Sequence, residues 1–164
     1  MSRELSGYKA KQSGDAFEAI FHAMCNRFSI GCISIPDGCF RVKTPYGVKL
    51  KPCTTPFDYL ICKDGRAAAI DCKTLNEDVF AYSCVVRHQL DSLTQSGQHI
   101  PSGYVVWFRP SGQIVFYDHH VLSQVQPRTS LKQTDGQIIG RIGYFEPERI
   151  LNHVTKSTIQ QNLF

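Results

Sequence analysis

Phe57-Asp58-Tyr59-Leu60-Ile61-Cys62-Lys63-Asp64-Gly65-Arg66-Ala67-Ala68-Ala69-Ile70-Asp71-Cys72-Lys73 is the stretch on which the reading of the fold turns. Asp64-Gly65 lies between two apolar runs, a strong signal for a two-residue hairpin turn. If Lys63 pairs with Arg66, counting outward puts Asp58 directly opposite Asp71, with Cβ atoms about 4.5–5.5 Å apart. Like charges so placed destabilise a sheet, and these runs are apolar at successive positions, as in strands buried on both faces. Lys73 stands two residues beyond Asp71 and shares its face. Two carboxylates and an amine at one point outline a metal-dependent hydrolytic site. A plainer account has Asp58 capping a strand and Asp71 at a solvated strand end, in a weak ion pair with Lys73.

Upstream, residues 13–28 read as a helix: Phe17, Ile20, Phe21, Met24 and Phe28 recur at the spacing of one buried stripe. Glu18 lies about 100° from Phe17, at the edge of that stripe. Asp15-x-x-Glu18 is also a capping-box pattern, so spacing alone leaves Glu18 with two readings. Residues 39–52 read as a second hairpin. With Pro45-Tyr46-Gly47 as a three-residue loop, Lys43 faces Lys49 and Arg41 faces Lys51, and all four cations share one face. Such a face suits phosphate, or lysines that guard an exposed sheet edge.

Downstream, 84–97 reads as a helix on Val86, Leu90 and Leu93, with Gly97 as its C-terminal cap. Residues 104–109 and 113–118 read as antiparallel strands around Pro110-Ser111-Gly112. Trp107 is expected in the core, 124–140 as loop, and a short helix near 147–154. His119-His120 lacks a metal-ligand partner at a recognisable spacing and reads as a loop feature. A helix, strands, a helix and further strands make an α/β (α+β) fold around one mixed sheet.

The 164 residues fit a single domain, 1–164, with 1–12 a flexible basic arm carrying Arg3, Lys9 and Lys11 and about 124–164 a C-terminal segment of weaker pattern. A net charge of +4 and a pI near 8.7 permit a polyanionic partner without requiring one. Seven cysteines without a CxxC pair offer no zinc-site spacing and read as reduced thiols. No apolar run approaches the ~20 residues of a membrane span, and residues 1–12 lack the apolar core of a secretion signal. A cytoplasmic protein, bacterial or phage-encoded, is expected.

Gly14-Asp15-Ala16-Phe17-Glu18, Thr54-Thr55-Pro56-Phe57-Asp58-Tyr59, Ala69-Ile70-Asp71-Cys72-Lys73 and His88-Gln89 together resemble the PD-(D/E)XK nuclease superfamily. Within it the chain looks most like RecU-type Holliday junction resolvases, with the archaeal Hjc type further off. The order and spacing hold from about residue 13 to residue 122. Asp71 stands where Glu is usual, and the compact segment before Asp58 leaves the 39–52 hairpin where a longer stalk is expected. The resemblance implies a restriction-endonuclease-like fold with a central mixed β-sheet flanked by helices. It implies a metal-dependent DNA endonuclease, most like a resolvase working on four-way junctions as a homodimer. Other readings are a restriction-like or repair nuclease on duplex DNA, and a non-catalytic DNA-binding module. Asp58, Asp71 and the Cys72 backbone carbonyl would hold Mg²⁺, or Mn²⁺ in its place, with Glu18 reaching it directly or through water. Lys73 would orient the attacking water, and Gln89 would sit beside the cluster. Arg41, Lys43, Lys49, Lys51, Lys9 and Lys11 would grip DNA backbones.

Overall fold

A computed structural model describes residues 3–36, 39–45, 47–52 and 55–153. Helix α1 spans Arg3–Arg27, so it begins well before residue 13. Most of the segment expected as a flexible arm is helical, built on good helix formers such as Glu4, Leu5, Lys9, Ala10 and Lys11 and lacking proline. Strand β1 (Gly31–Ser34) follows, then β2 (Cys39–Thr44), β3 (Gly47–Pro52), β4 (Tyr59–Lys63), β5 (Arg66–Leu75) and β6 (Val79–Ala81). Helix α2 (Arg87–Ser96) leads to β7 (Ser102–Phe108) and β8 (Gln113–Asp118). Short α3 (His119–Ser123), β9 (Ser130–Lys132), β10 (Gln137–Arg141), β11 (Tyr144–Phe145) and α4 (Glu148–Leu151) complete the order.

Seven strands form the main sheet in the order β1-β4-β5-β7-β8-β10-β11. The Asp64-Gly65 hairpin has the expected register, with Lys63 opposite Arg66 and Tyr59 opposite Ile70. Both turn residues adopt positive φ, 51° and 76°, as a type I′ turn demands. β5 and β7 run parallel from Ala69↔Ser102 to Leu75↔Phe108. Parallel neighbours need a crossover, and α2 supplies it.

Alternate residues of the central strands feed two cores. Ala68, Ile70, Cys72 and Val105 join Phe17, Phe21 and Met24 of α1 and Ile150 and Leu151 of α4 on one face. Ala69, Tyr104, Val106 and Phe108 join Leu90 and Leu93 of α2, Leu122 of α3 and Phe80 on the other. The sheet is therefore sandwiched, its central strands apolar on both sides.

Several expectations need correction. The 39–52 hairpin closes one residue tighter than a three-residue loop allows: Thr44 pairs with Gly47, Lys43 with Val48, Val42 with Lys49 and Arg41 with Leu50. A one-residue slip exchanges alternating positions, so Arg41 and Lys43 fall in register with apolar residues, and so do Lys49 and Lys51. The cross-strand cation pairs are absent. Residues 124–140 hold β9, which pairs with β6, and most of β10, which pairs with β8. β1, unread in the sequence, pairs with β4. The second helix starts at Arg87 after a 3-10 turn over Tyr82–Cys84. Gly97 has φ −65° and forms no left-handed cap; it is small because the His119 ring lies against it. Trp107 is half-buried, its ring 5.8 Å from that of Phe17. Cys25, Cys32, Cys62, Cys72 and Cys84 are free thiols, and no helix among the described residues is long and apolar enough to cross a membrane.

Phe21 ties α1 to β4 and to the edge strand β11, with ring centroids 5.7 Å from Tyr59 and 6.1 Å from Phe145. Phe21→Ala is expected to lower unfolding free energy by about 3–5 kcal/mol in urea denaturation. A loss below about 1 kcal/mol would mean the sheet folds without the support of α1.

Candidate metal centre

Asp71 sits at the middle of β5, on the face of Tyr104, and is 0 % exposed. Lys73 reaches it from the next position on that face, with Nζ 2.5 Å from Asp71 Oδ2. The same ammonium donates to Gln89 Oε1 at 2.9 Å and lies 5.2 Å from the centroid of the Tyr104 ring. Gln89 is held there by its helix. The Tyr104 hydroxyl accepts from the Val86 N–H at 3.3 Å, which pins the start of α2 to β7.

Asp58 precedes β4 by one residue, one step beyond the Tyr59↔Ile70 pair, beside Asp71. Its N–H donates to the Ile70 carbonyl at 3.0 Å, and its carbonyl accepts from Ile35 at 2.8 Å. Its Oδ2 accepts from the Cys72 N–H at 2.7 Å. Asp58 therefore does not cap a strand in water; it ties three segments together beside a second carboxylate.

Glu18 is the third acid. The helix begins at Arg3, so Asp15-x-x-Glu18 lies far inside it and the capping-box reading falls. Glu18 is half-buried. Burial raises its pKa, Asp58 and Asp15 add to this, and Lys73 and a hydrogen bond from Tyr59 oppose it. Burial pushes Asp71 up to about 7, with Asp58 and Glu18 contributing and Lys73 pulling against them. Each acid thus senses the others electrostatically.

The fold assembles Glu18, Asp58, Asp71, Lys73 and Gln89 from α1, the start of β4, β5 and α2. The thiol of Cys72 turns into the apolar core between them, its pKa driven up by burial and then by Asp58 and Asp71. Sequence reasoning missed Tyr59, which bonds Glu18, and Tyr104, which supports Lys73. Tyr59 directly follows Asp58; nothing in the sequence marks Tyr104, which reaches the site only through the parallel β5–β7 register. The hairpin cations lie on a separate two-stranded sheet, and Lys9 and Lys11 lie in the first turns of α1.

Three carboxylates with one ammonium among them leave a deficit of positive charge. Both Asp71 oxygens are buried, and Lys73, 2.5 Å from Oδ2, is the ammonium set against them. An all-oxygen donor set of this kind fits a small hard dication. Asp118, His119 and His120 form a second group of ligand atoms, within 4.8 Å of one another. His119 and His120 open α3 and are not in a loop, and Asp118, the preceding residue, is the partner their spacing did not reveal.

No protein-family model matches the chain, and no curated protein matches it by sequence. A solved structure does match: Archaeoglobus fulgidus Hjc, a Holliday junction resolvase from an archaeal hyperthermophile. The TM-score is 0.55 at 13 % sequence identity, covering 77 % of this chain and 96 % of that one. The chain accordingly has an Hjc-like, restriction-endonuclease-like fold: a curled mixed sheet flanked by helices. The match is to the Hjc type, the more distant of the two types its motifs resemble.

The raised pKa of Asp71 has a consequence in metal-free protein. The folded state holds this proton up to about 7 and the unfolded chain releases it near 3.8, so the folded state binds more protons across that interval. Stability in EDTA is expected to fall as pH rises from about 4 to about 7. Asp71→Asn, neutral throughout, is expected to flatten that fall in thermal melts. Parallel pH profiles for the two proteins would refute the burial of an ionisable Asp71.

Proposed function

We propose that this protein is a metal-dependent DNA endonuclease, a Holliday junction resolvase that hydrolyses phosphodiester bonds in branched DNA as a homodimer. The carrying observation is the convergence of Glu18, Asp58, Asp71, Lys73 and Gln89 on one point of an Hjc-like fold. The RecU-like segments Gly14–Glu18 and Thr54–Tyr59 support placing the enzyme nearer that type. Symmetric cuts across a four-way junction need two centres, and one chain of this fold supplies one. The reading places the enzyme in the cytoplasm of a bacterium or of a phage-infected cell.

Asp58, Asp71, the Cys72 carbonyl and Glu18 are the groups assigned to hold Mg²⁺, with Mn²⁺ as substitute. When bound, the ion supplies charge relief at the phosphate and lowers the pKa of water. Asp58 brings one oxygen already committed to the Cys72 N–H, which fixes the carboxylate in place. Lys73 is held between Asp71 and Gln89, with Tyr104 beneath. From there its ammonium can donate to an attacking water or a phosphate oxygen and favour developing negative charge. Gln89 holds that ammonium by its Oε1. Arg41, Lys43, Lys49 and Lys51, with Lys9 and Lys11, are the cations proposed for phosphate contacts, which give affinity without sequence readout. The hairpin register divides its cations between alternating positions, and this favours a second reading, a restriction-like or repair endonuclease on ordinary duplex.

Labelled four-way junction, Y-fork and linear duplex, each with Mg²⁺ or EDTA, separate these readings. Cleavage of the junction in Mg²⁺ alone is expected, with slower cutting of duplex. Asp58→Asn and Asp71→Asn are expected to slow it at least ~100-fold, about 2.7 kcal/mol in barrier. Undiminished Mg²⁺-dependent cutting by either variant would sink the centre. Equal cutting of junction and duplex would transfer the reading to a duplex nuclease, and binding with no cutting to a DNA-binding module.

Lys73 is given no bond to the ion, so Lys73→Ala should cripple the rate while weakening Mn²⁺ binding far less than Asp71→Asn does. Calorimetric titration decides this. Comparable losses of Mn²⁺ affinity in the two variants would mean the roles are wrongly divided.

A further inference from the structure

Asp118 closes β8 and caps α3. It is 6 % exposed, and neighbouring His119 is 3 % exposed. Asp118 Oδ1 accepts the His120 N–H at 2.8 Å, and His119 Nδ1 lies 3.5 Å from the same oxygen. His119 Nδ1 also meets Ser102 Oγ at 3.3 Å, and that hydroxyl gives its own proton to the Leu93 carbonyl at 2.6 Å. This network accounts for Oδ1 and for the seating of His119.

It leaves two atoms unexplained. Asp118 Oδ2 and His120 Nε2 are buried, and neither has a hydrogen-bond partner among the described residues. Buried polar atoms without partners are costly and call for an explanation. His153, just beyond α4, makes the case sharper. Its Nδ1 faces Gln137 Oε1 at 3.1 Å, an acceptor, so the proton sits on Nδ1. In the neutral ring Nε2 then carries a lone pair, and it points at Asp118 Oδ2 across 3.6 Å. A lone pair facing a carboxylate oxygen is relieved by a cation between the two atoms or by a second proton on the ring, and the orphaned Nε2 of His120, two residues from Asp118, favours the cation.

We propose that Asp118, His119, His120 and His153 form a site for a borderline transition-metal dication, zinc being the natural occupant, separate from the all-oxygen centre. Three of the four groups already bring ligand atoms within 4.8 Å of one another. Zinc at about 2.0–2.2 Å from N and O ligands sets them roughly 3.3–3.5 Å apart, so binding draws the side chains in by about an ångström. Mixed imidazole and carboxylate donors select zinc over Mg²⁺. The Gln137–His153 hydrogen bond supplies the outer contact that orients a ligating imidazole. The two centres sit at different places in the sheet: Asp71 lies at the middle of β5, in register with Tyr104, whereas Asp118 lies at the end of β8, opposite Gly103. Asp118, His119 and His120 are the groups already gathered; His153, 3.6 Å from Asp118 Oδ2, completes the site by moving in and so fastens the segment after α4 to the end of β8.

The test uses the full chain, stripped with chelator and then titrated with Zn²⁺ against a chromophoric indicator in excess Mg²⁺. Co²⁺ absorption serves as a reporter of geometry. Wild type and Asp71→Asn are each expected to take up one equivalent of zinc and to give the intense visible bands of tetrahedral cobalt. Asp118→Asn and His120→Gln should lose zinc affinity at least about 100-fold, and His153→Gln, whose ring is partly exposed, at least about 10-fold. Zinc should raise the melting temperature of wild type and not that of His120→Gln. If the two more buried substitutions fail to fold, His153→Gln alone decides. Absence of zinc uptake by wild type, unchanged uptake in the variants, or uptake lost in Asp71→Asn overturns the proposal, and Asp118 is then paired with a protonated His153.

Discussion

A carboxylate at the centre of a sheet that is apolar on both faces is the constraint around which this molecule is arranged. Desolvating an ion costs far more than any single contact returns, and Asp71 has no water to turn to. Its surroundings follow from that cost. Lys73 stands two residues on, Gln89 and Tyr104 fix the ammonium, and the Tyr104 hydroxyl anchors the helix that carries Gln89. Asp58 and Glu18 then add negative charge where it is least tolerated. A fold selected for stability alone would place an apolar side chain at Asp71. Retaining three acids there costs stability, and the proposed dication is the kind of ligand that would offset the charge deficit.

How much of this could be read from residues depends on how short-range the determinant was. The β4–β5 register follows from Asp64-Gly65 alone, because a two-residue turn admits only one pairing. Asp58, Asp71 and Lys73 could be placed from it. The Pro45-Tyr46-Gly47 turn admits two loop lengths, and the wrong one moves every cation of the hairpin by one position. Glu18 was ambiguous because a capping box depends on where a helix begins, and the polar first turns of α1 carry no apolar stripe to announce them. β1, β6 and β9 are short edge or ribbon elements and β10 is a short strand between β8 and the edge strand β11; their residues become strands only because a neighbour offers a ladder. Tyr104 and the Asp118–His153 contact join residues distant in sequence, and no local pattern encodes them.

The two helical layers divide the work. α1 and α4 cover the face where the core is almost wholly apolar, and Phe17 and Phe21 bind it to the sheet. α2 and α3 cover the face on which Asp71 and Lys73 project, so this layer combines packing with polar contacts. Gly97 illustrates the compromise: its position at the end of α2 is set by the His119 ring that crosses it, with no contribution from a helix-ending backbone conformation.

The parallel pairing of β5 with β7 bears on the order in which the molecule forms. β4 and β5 can close on each other at once, through a turn between neighbours in sequence, so Asp58 and Asp71 meet while the hairpin is still in water. There the repulsion is weak, because the solvent screens it. β7 arrives only after α2 has crossed over, and it is the docking of β7 and α2 that removes the water. The electrostatic cost is therefore levied late, at the long-range step that topology already makes slow, and a proton or a cation at the acid cluster eases that step rather than the first.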